Sequence, residues 1–113
     1  MDLFGKKKSA KDWFEKGNEL FENEQFFDAI ECFDRVILNK KIHGKNIAIA
    51  LNNKGKCIEK LDDFKTALKC YEFAIQMDSG LSDAYMRKAG ILKKMGQHKE
   101  AEKVILKSKS LKE

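Results

Sequence analysis

The stretch AIECFDRVI, residues 29–37, decides the fold, because a similar stretch, ALKCYEFAI, returns at residues 67–75. Both begin with alanine, place cysteine three residues later, follow it with an aromatic residue and end with isoleucine. Similarity that returns after about 20 to 50 residues is typical of proteins built from repeated structural units. The sequence therefore predicts a repeat.

The residues in front of the two stretches repeat as well. WFEKGNEL, residues 13–20, precedes the first stretch, and LNNKGKCI, residues 51–58, precedes the second. A third copy, YMRKAGIL, follows at residues 85–92. Small residues recur in phase, namely Gly17, Gly55 and Ala89, followed by Ala29, Ala67 and Ala101. We conclude that the unit is used three times.

Each unit carries the pattern of two helices. Apolar residues spaced by three and four run through residues 13–21 and again through residues 26–37, with polar residues 23–25 between them. This spacing places the apolar residues on one face of each helix. Two antiparallel helices that pack closely need a small residue at their crossing, so we expect Gly17 to face Ala29. A large side chain at either position should cost about 1 to 3 kcal/mol through overpacking.

The pattern resembles the tetratricopeptide repeat, whose unit carries Trp-x2-Leu-Gly-x2-Tyr, then Ala-x3-Phe, then Pro. The resemblance implies an all-α fold, a right-handed superhelical array of three antiparallel helix-turn-helix hairpins without strands. Repeat 1 would span about residues 10–43 and repeat 2 about residues 48–81, separated by an insertion at about 44–47. Repeat 3 would span 82–113, and residues 1–9 would form an N-terminal extension.

The chain departs from the family pattern in three ways. Lysine replaces the leucine of the motif in each repeat, at Lys16, Lys54 and Lys88, and the chain contains no proline. Four extra residues lie within NKKIHGKN, residues 39–46, between repeats 1 and 2. Because four residues are about one helical turn, we expect a lengthened second helix or a longer loop around Gly44.

The charge of the chain is unevenly distributed. Residues 13–39 have a net charge of −5, whereas residues 40–60 and residues 79–113 each have +5. Sequence-independent nucleic-acid binding favours a continuous basic surface, so nucleic acid is an unlikely partner on this pattern. No stretch approaches the roughly 18 apolar residues of a membrane span, and residues 1–12 lack an apolar signal core. We therefore expect a cytoplasmic protein with no membrane partner.

The sequence contains no motif of a catalytic or cofactor site. Cys32, Cys57 and Cys70 are odd in number and lack CxxC spacing, which favours buried free thiols over disulfides or a zinc site. A reactive thiol stays open as the alternative. We expect a non-catalytic protein that needs no cofactor.

The resemblance further implies a peptide-binding groove on the concave face, lined by the first helix of each repeat. Apolar side chains ringed by polar and basic ones suit an extended or helical peptide, with acidic ligand residues near the basic ones. The alternative is that Phe14 and Phe21 pack beneath the N-terminal segment. The predicted groove residues are Phe14, Asn18, Phe21, Ile49, Asn52, Asn53, Lys56, Lys60, Met86, Arg87, Lys93 and Lys94.

Some members of the family hold the acidic C-termini of cytosolic chaperones in a carboxylate clamp. Asn18, Asn53 and Arg87 match the clamp pattern, but its two lysines fall on Phe14 and Asp83. Hydrogen bonds to charged groups contribute about 1.5 to 3 kcal/mol each. Losing two cations should therefore greatly weaken the hold on an anionic terminus.

Self-association is the alternative function. Val104, Ile105 and Leu106 are consecutive, so at least one of them cannot face the preceding hairpin, and no polar cap follows. A homodimer that covers this face would resolve the exposure. Leu3 and Phe4 offer another apolar element for docking on a partner, unless they belong to a frayed terminus.

Overall fold

The computed structural model describes residues 8–111, so Leu3 and Phe4 lie outside the described residues. This part of the chain is all-α, without strands, and confirms the predicted array of three hairpins. The helices are α1 (Ala10–Glu22), α2 (Phe26–Ile37), α3 (Lys45–Lys60), α4 (Phe64–Met77), α5 (Ser82–Lys94) and α6 (His98–Ser110). Each helix packs on the next. We call α1, α3 and α5 the leading helices and α2, α4 and α6 the following helices.

The three hairpins share one turn conformation. The residues at the equivalent turn position, Glu24, Asp62 and Gly96, have positive φ angles of 60°, 63° and 81°. The next residue of each turn donates its backbone N–H to a carbonyl of the leading helix, as Gln25 does to Leu20 over 2.8 Å. This arrangement satisfies carbonyl groups that a helix end otherwise leaves without partners. The chain therefore reverses its direction in the same way in each hairpin.

A glycine in each of the first two leading helices lies under an aromatic ring. A Cβ atom added at Gly17 would be 2.7 Å from Phe33, and one added at Gly55 would be 2.7 Å from Tyr71. The atoms nearest to the added Cβ at Gly17 thus belong to Phe33 rather than to Ala29, the residue expected at this crossing. The ring, not the alanine, occupies the space of the missing Cβ. In the third hairpin Ala89 takes the glycine position, and the residue equivalent to the ring is Ile105.

Ion pairs join α3 and α5 each to the following helix of the preceding hairpin. Lys54 Nζ is 2.7 Å from Asp34 Oδ1, and Lys88 Nζ is 3.2 Å from Glu72 Oε2. The two pairs occupy equivalent positions of successive repeats and give the lysines at positions 54 and 88 a role between hairpins, whereas Lys16 pairs with Glu19 of its own helix. At the next equivalent acidic position, α6 carries Leu106.

The four extra residues between repeats 1 and 2 lengthen a loop and the start of α3. α2 ends at Ile37, so the expected extension of the second helix is wrong, whereas the longer loop around Gly44 is confirmed. Gly44 has a φ of 52°, and α3 begins directly after it. α3 therefore starts three residues before Ala48, which is equivalent to the first residue of α1.

The leading helices lie on the inner side of the array. Side-chain hydrogen bonds join α3 to α1 through Asn53 and Asn18, and α3 to α5 through Asn52 and Asp83. Within residues 8–111, no side-chain hydrogen bond or ion pair joins one following helix to another. We call the surface of α1, α3 and α5 that carries these bonds the inner face.

Candidate functional site

All twelve predicted groove residues lie on the leading helices. Their exposure differs: Asn52 is buried, at 4% exposed, while Ile49 and Met86 are 38% and 50% exposed. The other exposed members of the set are Asn18, Lys60, Lys93 and Lys94, and the half-buried members are Phe14, Phe21, Asn53, Lys56 and Arg87. The structure therefore places the whole set on the leading helices, with Asn52 as its buried member.

The two phenylalanines of α1 are held by edge-to-face contacts. The ring of Phe14 is 5.8 Å from that of Phe33, and the ring of Phe21 is 5.5 Å from that of Phe26. Lys56 Nζ also lies 5.1 Å from the centre of the Phe21 ring. Both rings pack against the core cluster of Ala29, Phe33 and Cys57, so each is fixed in position and half-buried.

An asparagine pair connects the first two leading helices. Asn53 Nδ2 donates to Asn18 Oδ1 over 3.1 Å. Both side chains retain further donor or acceptor groups, because an amide side chain carries two donors and one acceptor oxygen. The pair therefore links the first two repeats and still has hydrogen-bonding groups available for a ligand backbone.

Asp83 accepts hydrogen bonds from two side chains of the leading helices. Its Oδ2 atom accepts from Asn52 Nδ2 over 2.7 Å and from Arg87 Nε over 3.5 Å. Asn52 is buried, so its amide positions the carboxylate rather than facing a ligand. The positive charge of Arg87 is therefore already balanced within the chain.

Glu59 is an inner-face residue that the sequence reasoning missed. It accepts from the Tyr71 hydroxyl over 2.8 Å and pairs with Lys94 Nζ at 2.9 Å. Lys94 also lies 5.3 Å from the centre of the Phe64 ring. Burial and the bond to Glu59 raise the pKa of Tyr71, so its hydroxyl remains a donor. Glu59 occupies the same position of its repeat as Phe21 and Lys93, both of which were predicted groove residues. This equivalence was the signal in the sequence that pointed to Glu59.

A cavity of about 330 Å³ opens between α1 and α3. The sequence reasoning placed Phe14 and Ile49 in the groove but missed Val36 and Ile42, which belong to other segments. We call this cavity the α1–α3 pocket; its lining residues are Ala10, Lys11, Phe14, Val36, Ile42, Asn46 and Ile49.

Three lysines of the inner face, Lys56, Lys60 and Lys93, have no carboxylate within ion-pair distance among residues 8–111. The amine of Lys56 lies 5.1 Å from the centre of the Phe21 ring. These side chains carry the positive charge that is free to meet an acidic ligand.

The cysteines are free and buried, as predicted. Burial raises the pKa of all three thiols, and raises that of Cys57 from 9.0 to about 12. Since the thiolate is the reactive form, these cysteines are poor nucleophiles near neutral pH. The part of the chain that the structure describes has no group of three or more His, Cys, Asp or Glu side chains placed to bind a metal. Nor, across residues 8–111, is any helix long and apolar enough for a bilayer.

The three apolar residues of α6 differ in their environments. Val104 and Ile105 pack against a core cluster that contains Ala89 and Ala101. Leu106 alone points away from it and is 65% exposed. Leu106 is therefore the residue of this run that does not face the preceding hairpin.

The chain is similar to known proteins in sequence and in fold. Residues 82–113 match the family described as tetratricopeptide repeat. Protein STIP1 homolog of Dictyostelium discoideum is 30% identical over 95 residues, which are 83% of this chain and 16% of that relative. The chain thus spans about one sixth of the length of this relative.

Two solved structures share the fold. The second TPR of Spaghetti (RPAP3), bound to the HSP90 peptide SRMEEVD, is 24% identical with a TM-score of 0.81, covering 92% of this chain and 93% of that one. The TPR2B domain of yeast Sti1, in a pHsp70 complex, is 20% identical with a TM-score of 0.82, covering 90% and 78%. Together with the stacked hairpins, these matches define an α-helical repeat protein. The chain belongs to the tetratricopeptide repeat family.

Proposed function

We propose that the chain is a non-catalytic interaction module that binds a segment of another protein on its inner face. The observation that carries the proposal is that the leading helices carry exposed apolar side chains, Ile49 and Met86, together with Lys56, Lys60 and Lys93, which have no carboxylate partner among the described residues. An apolar surface surrounded by polar groups is typical of peptide-binding grooves.

The related structures support a scaffold or co-chaperone-like role. One holds an HSP90 peptide and another is a complex with pHsp70. These ligands belong to those proteins, and the shared fold supplies only the same kind of surface. For this chain we propose a protein segment with acidic residues as the ligand.

The proposed groove differs from a carboxylate clamp. Phe14 and Asp83 stand where the clamp has lysines, and Arg87 is already bonded to Asp83. An anionic terminus would have to displace this internal carboxylate. We therefore propose an internal segment, rather than a C-terminal carboxylate, as the preferred ligand.

The binding test uses displayed random peptides and two sets of exposed substitutions. Ile49→Ser with Met86→Ser and Lys56→Glu changes the inner face, while Phe27→Ser with Phe73→Ser changes exposed apolar residues of the following helices. We expect wild type and the second variant to select the same peptides and the first variant to lose them. Equal binding by all three proteins would overturn the proposal. Added salt should slow association more than it speeds dissociation.

Self-association is a second candidate, favoured by the exposed Leu106 on α6. Because Val104 and Ile105 pack into their own hairpin, the surface available for a two-fold contact is small. Light scattering at two protein concentrations, with and without Leu106→Lys, tests this function. A mass that stays monomeric in both proteins would exclude it.

A further inference from the structure

The α1–α3 pocket is built for an apolar side chain. Phe14, Val36, Ile42 and Ile49 supply most of its lining, and only Lys11 and Asn46 contribute polar side chains. Both polar residues are exposed, so they lie at the rim. The volume of about 330 Å³ is at the lower end of the range for ligand pockets, about 300 to 1,000 Å³. This space suits one or two side chains rather than a whole peptide.

Two of the lining residues are held by packing. Phe14 is packed against the ring of Phe33, and Val36 is buried at the end of α2. Ile49 is 38% exposed on α3, where a ligand can contact it. A preformed apolar pocket loses little conformational entropy when it is filled.

The pocket depends on the long connection that is special to the first two repeats. Ile42 lies between α2 and α3, in the segment that carries the four extra residues. The corresponding connection between α4 and α5, residues 78–81, is only four residues long. The apolar residue of this shorter connection, Leu81, packs against the core cluster of Ala48, Ala74 and Ala84.

We propose that this pocket binds one aliphatic side chain of the partner segment and thereby sets the register of the ligand. The proposal rests on the function proposed above and adds an anchor residue to it. The ligand class is an internal protein segment with an aliphatic residue and, at a defined distance, acidic residues.

The distance follows from the helix geometry. Ile49 at the pocket and Lys60 at the end of α3 are eleven residues apart, or roughly 16 Å along the helix axis. An extended peptide advances about 3.3 Å per residue and crosses this distance in about five residues. Lys93, at the equivalent end of α5, is also unpaired. Arg87 is a weaker choice for the acidic residues because Asp83 already pairs with it.

The distribution of charge favours a partner segment, rather than the chain's own first residues, as the occupant of the pocket. Residues 1–7 include Leu3 and Phe4, but they carry Lys6 and Lys7 against Asp2. The unpaired charges of the inner face are also positive, so a basic segment would be repelled where an acidic one is attracted. We therefore assign the pocket to a partner segment.

The experiment uses a focused library of short peptides, blocked at both ends. Each peptide carries one leucine and one Glu-Glu pair at varied separation, with random polar residues elsewhere. We expect selection of separations of about four to six residues. In the selected peptides, Leu→Ser should weaken binding by at least about tenfold, as expected for losing a buried apolar side chain.

Protein variants localise the anchor. Ile42→Ser and Ile49→Ser change the pocket at partly exposed positions. Each should weaken the binding of the leucine peptide about tenfold and leave the binding of the peptide with Leu→Ser unchanged. Leu38→Ser, at an exposed position in the same connection, is the matched control and should leave binding unchanged. Circular dichroism of each variant reports whether it is folded.

The possible failures are distinguishable. One outcome is that peptides bind with an affinity that depends neither on the leucine and its separation from glutamate nor on the substitutions at Ile42 and Ile49. In that case the proposed anchor is wrong, and the proposal of an interaction module stands. If no peptide binds wild type, the proposed function fails as well. If deletion of residues 1–7 increases affinity and shifts the methyl resonances of Ile42 and Ile49, the chain's own segment is the occupant and the partner assignment is overturned.

Discussion

Asp83 and Arg87 form an ion pair on the inner face, with Arg87 Nε 3.5 Å from Asp83 Oδ2. The same oxygen accepts from the buried Asn52 over 2.7 Å. The carboxylate of Asp83 is thus paired with Arg87 within the chain and is held by a buried amide. This pairing is the reason that we propose an internal segment, rather than a C-terminal carboxylate, as the ligand.

Replacing Phe14 and Asp83 by lysine should create affinity for the peptide SRMEEVD. The changes add two cations and release Arg87 for a ligand. At about 1.5 to 3 kcal/mol for each hydrogen bond to a charged group, we expect a gain of at least about tenfold. Fluorescence anisotropy with labelled peptide measures it.

The control for this gain is the same peptide with an amidated C-terminus. Asp83→Lys alone is the second variant, because it leaves the contact of Phe14 with Phe33 intact. A gain that persists with the amidated peptide, or no gain in either variant, would contradict the role assigned to Asp83.

Gly17→Ala should destabilise the protein, although alanine favours helices. The new Cβ would lie 2.7 Å from the Phe33 ring, and overpacking costs about 1 to 3 kcal/mol. The higher helix propensity of alanine offsets about 0.8 to 1.0 kcal/mol of this cost, so the free energy of unfolding should fall by up to about 2 kcal/mol. Urea unfolding measures the free energy of unfolding.

Gly90→Ala is the matched control for that substitution. Gly90 lies inside α5 with no atom within 4 Å of the added Cβ, so we expect stabilisation by about 0.8 to 1.0 kcal/mol. If both substitutions had the same sign, the ring contact would not be the reason for glycine at position 17.

Glu24→Gly and Asp62→Gly should stabilise the hairpin turns. Both residues have φ near +60°, a conformation that costs L-residues about 1 to 2 kcal/mol and glycine little. After the greater entropy of glycine in the unfolded chain is subtracted, each change should contribute about 0.5 to 1 kcal/mol. Thermal and urea unfolding of the single variants check the sign.

The third turn supplies the reverse experiment. Gly96 has φ of 81°, so Gly96→Ala should destabilise by about 1 kcal/mol. Stabilisation by this change would show that the turn residues are not under the inferred strain.

Stability should fall at alkaline pH. Burial raises the pKa of Cys57 to about 12, so the folded state keeps a proton that the unfolded state loses above about pH 8.5. The unfolded state then binds fewer protons, and the free energy of unfolding decreases as pH rises from about 9 toward 12. The contribution is constant below about pH 8.

Two measurements check this pH dependence. Denaturant unfolding at several pH values should show a shallower alkaline decline in Cys57→Ala than in wild type. Thiol modification of native protein at pH 8 should be slow for all three cysteines and fast after unfolding. Rapid modification of the native protein would contradict the burial of the thiols.

Replacing Asp34 by alanine should weaken the contact between the first two hairpins. Lys54 would lose its partner at 2.7 Å, and a partly exposed ion pair contributes about 0.2 to 1 kcal/mol. A double-mutant cycle with Lys54→Ala isolates the pair. The equivalent cycle with Glu72 and Lys88 should give a coupling of the same sign; a zero coupling in both would remove the explanation for the lysines.

The sequence by itself determined the helical repeat. Apolar spacing, in-phase small residues and the recurring aromatic after cysteine are local patterns, and they predicted six helices in three hairpins and the burial of Cys32, Cys57 and Cys70. They also placed the predicted groove residues on α1, α3 and α5, because helical register follows directly from residue number.

Only the tertiary structure decided which side chains meet between helices. The partner of Gly17 is Phe33 rather than Ala29, Asn52 turns inward to Asp83, and Ile42 joins Ile49 in one pocket. Such contacts depend on how far each helix is rotated and how a connection returns to the array. A periodic pattern specifies the face of a helix, but the crossing of two helices selects the atoms that come within bonding distance.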